Sequence, residues 1–97
     1  MALVIGSTVG AATARELPPL EYARCHAIAV NQGFVAEPTD EYDRAVLFQG
    51  QEILDRDWQG LLENTQDVED TAEARGAMEV ELYEATDCQT LIGVAPR

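Results

Sequence analysis

The apolar residues of this chain change period along its length, and the period decides which elements can form. Leu17-Pro18-Pro19 sets up a helix start, because proline tolerates a first turn whose N–H groups have no intrahelical partner. Leu20, Ala23, Ala27 and Val30 then recur at spacings of three and four, on one helical face. Gly33 supplies a left-handed C-terminal cap, and Phe34 after it can fold back on the last turn. These signals predict a first helix at about 18–32. Thr39 or Asp40 can cap a second, with Asp40, Glu41 and Asp43 where the helix dipole favours anions. Its apolar stripe draws on Tyr42, Val46, Phe48, Ile53, Leu54, Trp58, Leu61 and Leu62, which predicts a helix at about 40–63. Gly50 sits inside that pattern and marks either a kink or the close approach of another backbone.

The remainder reads differently. Residues 64–76 are nearly devoid of apolar side chains and predict a mobile acidic linker. After Gly76 the period becomes two: Met78, Val80 and Leu82 alternate with Glu79, Glu81 and Tyr83. Thr86-Asp87-Cys88 is a turn candidate, and Thr90, Ile92 and Val94 make a second alternating run. The expectation is a C-terminal β-hairpin, with strands at about 78–84 and 89–95, or extended arms pairing with another chain. Residues 2–5 read as a short strand or arm and 6–16 as a loop. The fold class is mainly α with C-terminal strands (α+β), in one domain of 97 residues whose strand segment is 77–97.

Charge bounds the partners. Eighteen Asp and Glu face six cations, all of them Arg, for a net charge of −12. The excess is concentrated in residues 37–87, where sixteen carboxylates meet only Arg44, Arg56 and Arg75. Such a field repels nucleic acid and anionic lipid and attracts basic surfaces. Identical acidic copies can pack closely only where Arg bridges them, which singles out Arg44, Arg56, Arg75 and Arg97. Trp58, between Asp57 and Gln59 and close to Arg56, is either core or an interface anchor.

No constellation of residues announces a reaction. Cys25 and His26 are neighbours, but adjacent helical residues point about 100° apart and do not form a nucleophile–base pair. Cys25 and Cys88 can pair, though two free thiols in a cytosolic chain is the simpler reading. With His26 they make a poor zinc set. The clusters Asp40-Glu41-x-Asp43, Asp55-x-Asp57 and Asp67-x-Glu69-Asp70 lack the calcium-loop pattern and read as solvated faces. Gly6-Ser7-Thr8-Val9-Gly10 lacks the lysine of a phosphate loop. No apolar run reaches the ~18–20 residues of a membrane span. Ala12-Thr13-Ala14 mimics a cleavage site, but no basic region precedes it, so the N-terminus reads as mature sequence. The expectation is a non-enzymatic protein with no catalytic residues, no cofactor, no metal and no membrane.

One ordered pattern adds to this. Met1-Ala2-Leu3-Val4 and a Gly/Ser/Thr loop precede a helix with Leu20-Glu21-Tyr22-Ala23 that ends near Gly33. An acidic linker leads to Ala45-Val46-Leu47 and then Ile53-Leu54-Asp55-x-Asp57-Trp58-x-Gly60. Over residues 1–62 the chain resembles the small DnaT-like proteins of tailed-phage head-gene clusters, which look like head–tail connector (adaptor) subunits. Such proteins continue with further helices, whereas this pattern turns acidic and then alternating. The resemblance implies a virion structural protein of the phage neck, made in the host cytoplasm. It would form a homo-oligomeric ring, dock on the portal, contact a neighbouring neck or tail protein, and let DNA pass without specific binding. The four arginines above, with Trp58, Tyr83 and Ile92, are the expected interface residues. The alternative is a small acidic DNA mimic that inhibits a basic nuclease or transcription protein, motivated by the charge of residues 37–87.

Overall fold

The computed structural model describes residues 16–97. They form four helices: α1 (Leu20–Asn31), α2 (Glu41–Asn64), α3 (Ala72–Ala85) and α4 (Cys88–Ile92). The arm at 2–5 lies outside the described residues, as does the loop at 6–16 except for Glu16, whose carbonyl accepts from the Tyr42 hydroxyl at 2.8 Å.

The first two helices follow their punctuation. α1 starts directly after Pro19 and ends at Gly33, which has φ +77°. There the amides of Phe34 and Gly33 donate to the carbonyls of Ala29 (2.8 Å) and Val30 (3.1 Å), a Schellman closure. Phe34 folds back and meets the Tyr83 ring edge-on, 5.1 Å between centroids. α2 is capped by Asp40, whose carboxylate accepts from the Asp43 amide at 2.7 Å. It runs unbroken through Gly50, so that glycine marks an approach and not a break. Val46, Gly50, Leu54 and Trp58 form its buried stripe, each four residues after the last. Opposite them on α1 stand Ala23 and Ala27. A Cβ built on Gly50 would fall onto the Ala23 carbonyl and lie 2.7 Å from the Ala27 Cβ. The two helices touch backbone to backbone there.

The expected C-terminal hairpin is not formed; no strand occurs among the described residues, and the body is helical throughout. Two physical reasons outweigh the alternation. Residues 72–85 are rich in Ala, Glu, Met and Leu, all strong helix formers. Thr71 caps them, its hydroxyl accepting from the Ala74 amide at 3.1 Å. The same residues also satisfy the helical period: Arg75, Glu79 and Tyr83 share one face and bury the last two. The expected linker therefore loses its end to α3 and shortens to residues 65–71. The second run becomes α4, entered at Asp87 with φ 55° and closed at Gly93 with φ 91°.

α4 folds back on α1 and brings Cys88 to Cys25, with Cα atoms 5.3 Å apart and the sulfurs bonded. The expectation of two free thiols is thereby corrected. The core gathers around α1, which buries Ala23, Cys25, Ala27, Ile28 and Ala29 against Leu54, Tyr83 and Cys88.

Gly76 lies inside α3, where a Cβ would meet only Gln32 Nε2 at 3.7 Å, an ordinary contact. Gly76→Ala should stabilise the fold by about 0.5–1 kcal/mol through helix propensity alone. A thermal melt reads this as a midpoint higher by several degrees; an unchanged or lower midpoint would contradict it.

Candidate functional site

An open groove of about 780 Å³ lies between α2 and α3. The α2 wall carries Asp57, Gly60, Leu61 and Asn64. The α3 wall carries Ala74, Ala77, Met78, Glu81 and Leu82, and residues 67–69 of the linker close one side. Trp58 positions that linker: its indole Nε1 donates to Asp70 at 3.0 Å while the ring is buried. Arg24 reaches in from α1 and donates through Nη1 to Asp57 at 3.2 Å. Its Nε is buried and has no acceptor among the described residues.

A buried carboxylate fixes the position of α3. Glu79 is 4% exposed and sits against the C-terminal end of α1. That helix end is electronegative and disfavours an anion. Two amides and a charge offset this: Asn31 Nδ2 donates to both oxygens and Gln32 Nε2 to one, each at 3.2 Å, and the Arg75 guanidinium makes an ion pair at 3.6 Å. Arg75 also bonds Asp55 on α2 at 2.6 Å through Nη2, so one guanidinium ties α2 to α3.

The expected interface residues divide into two groups. Arg44, Arg56 and Arg97 are exposed. Arg75 is committed within the chain. Trp58 is 3% exposed and Tyr83 1%, its hydroxyl donating to the Val94 carbonyl at 2.7 Å, so both serve the core. Ile92 is half-buried against that core. Neither of the two expected strands forms: 78–84 with Tyr83 lies in α3, and Ile92 of 89–95 ends α4. Phe48, expected in the stripe of α2, is 65% exposed. The sequence carried that signal: Phe48 follows Val46 by two residues, about 200° around the helix, so the two cannot share a face.

No reactive pair emerges. Cys25 is in the disulfide, and no group of three or more metal-ligating side chains occurs among the described residues. No helix there is long and apolar enough to cross a membrane. His26 lies against Tyr22, with the rings nearly parallel and 6.5 Å apart, and its buried Nε2 has no hydrogen-bond partner among the described residues. Burial pushes its pKa below the usual 6.5, against a smaller opposing pull from Asp43. The unfolded chain then binds the proton more readily than the folded one. Stability is full above pH 6.5 and falls as pH drops through the lowered value. His26 is the chain's single histidine, so His26→Gln should flatten stability between the two values. Denaturant melts at half-unit pH steps check this; an unflattened profile would contradict it.

No protein family, no curated protein and no solved structure matches this chain.

Proposed function

We propose that this chain is a non-enzymatic subunit of a tailed-phage head–tail connector, assembling as a ring that docks on the portal and extends the DNA channel. The carrying observation is the order and spacing of the residues from Met1 to Gly60, with Leu20-Glu21-Tyr22-Ala23 before Gly33 and Ile53-Leu54-Asp55-x-Asp57-Trp58-x-Gly60 after the acidic linker. The helical continuation through α3 and α4 removes the departure that an alternating C-terminus would have made from such proteins. An acidic wall suits a channel that passes DNA without gripping it. A disulfide is rare in a reducing cytosol and persists on particles outside the cell, which fits a place in the virion neck.

The strands are withdrawn from the assembly. Subunit contacts fall instead to the exposed faces, with Arg44, Arg56 and Arg97 bridging acidic neighbours and Phe48, one turn after Arg44, as an apolar contact. Portal and a neighbouring neck or tail protein are the partners. The test is location: gold-labelled antibody on purified particles should mark the neck, at the head–tail junction. Label distributed elsewhere, or particles lacking the chain, would overturn the reading. Chain found in a salt-sensitive 1:1 complex with a basic nuclease or transcription protein would favour the inhibitor.

A further inference from the structure

We infer that the groove between α2 and α3 is a docking site for a basic amphipathic helix of a protein partner. Three observations carry this. The floor and walls are largely apolar, from Leu61, Val68, Met78 and Leu82, and Met78 is a side chain that adapts to different occupants. Gly60 leaves the α2 wall without a side chain, and a Cβ there would meet nothing within 4 Å. The volume of about 780 Å³ falls within the roughly 300–1,000 Å³ of formed binding clefts.

The rim selects the occupant. Asp67, Glu69 and Glu81 are exposed, and none has an ion-pair partner among the described residues. Among the described residues the one cation lining the groove is Arg24, already paired with Asp57. An apolar trough with unneutralised carboxylates along its edge matches a helix that presents leucine-like side chains on one face and Lys or Arg beside them. A second copy is disfavoured by the same charge: Phe48, the most exposed large apolar side chain of the described residues, has Glu41 and Glu52 along its face against a single Arg44. The site does not depend on ring assembly.

The probe is a two-heptad Leu/Lys amphipathic peptide carrying a fluorophore, titrated with the full chain at physiological salt. Its control keeps every Lys and replaces every Leu with Ala. The expected result is micromolar binding of the Leu/Lys peptide, at least tenfold tighter than the control, with amide shifts confined to the groove around Leu61 and Met78. Ala77→Arg, which puts a cation into the groove from an exposed position of α3, should weaken binding tenfold or more. Glu69→Gln with Glu81→Gln should weaken it several-fold, and reads the same site should Ala77→Arg fold poorly. Equal binding of both peptides, affinity unmoved by the variants, shifts elsewhere, or no binding would each overturn the proposal. Affinity that falls as protein concentration rises would assign the groove to a second copy and overturn it too. Failure here leaves labelling at the neck unaffected, so the two readings stand or fall separately.

Discussion

Gly50→Ala lowers the stability of this fold by about 3 kcal/mol, close to the upper end of what overpacking costs. The added methyl would land on the Ala23 carbonyl, with the Ala27 Cβ 2.7 Å away. Backbone cannot rotate aside as a side chain can, so α1 and α2 must separate. Separation exposes part of the Ala23, Ala27 and Ile28 face, which is fully buried. The substitution gains about 1 kcal/mol of helix propensity, which offsets only part of the loss. For a chain of this size the melting midpoint should fall by roughly 10–20 °C. Gly60→Ala is the matched control on the same helix, because its Cβ meets nothing within 4 Å. It should be neutral or slightly stabilising. Equal effects at the two positions would show that α1 and α2 do not touch at Gly50.

Reducing the Cys25–Cys88 bond removes about 4 kcal/mol by the loop-closure relation, given a sequence separation of 63. The loss should be greatest at the C-terminus. α4 has five residues, too few to hold a helix alone, and the tail is tied through the Tyr83–Val94 hydrogen bond. A urea titration with and without reductant measures the change in midpoint. Hydrogen exchange should show α4 opening first once the bond is cut. An unchanged midpoint under reductant, or two reactive thiols in the unreduced denatured chain, would contradict the bond. Replacing both cysteines with Ala should reproduce the loss and add a term for the small cavities left.

These two features differ in how far the sequence revealed them. Gly50 stood out as an interruption in a helical pattern, and close approach was one of its two meanings. Gly33 carried enough local chemistry to name the cap, whereas the contact of Phe34 with Tyr83 required α3 as a helix. The disulfide had no local signal, because its partners meet only once α4 folds back over α1. α3 was hidden for another reason. Met78, Val80 and Leu82 alternate, but Arg75, Glu79 and Tyr83 also fall at helical spacing, and a polar residue at 79 reads as solvent-facing in either period. Only tertiary context shows that Glu79 is buried, among Asn31, Gln32 and Arg75. The composition of 72–85 and the cap at Thr71 were the available evidence for helix, and they prevail over alternation. The groove was illegible for the same reason, since it needs α3 as a helix beside α2.

Trp58 shows the limit of reading residue type alone. A lone tryptophan amid charge suits a core or an interface equally. Its burial and its bond to Asp70 assign it to the interior and to holding the linker. The exposed set on α2, Arg44, Phe48 and Arg56, is where the assembly should be challenged by mutation.

The most direct test of the connector assignment is the native mass of the purified chain across a concentration series, by light scattering behind a sizing column, alone and with portal protein. The expected result is a discrete ring-sized species, formed by the chain itself or on adding portal, and lost in Arg44→Glu. A chain that stays monomeric at every concentration, with portal present, would contradict it.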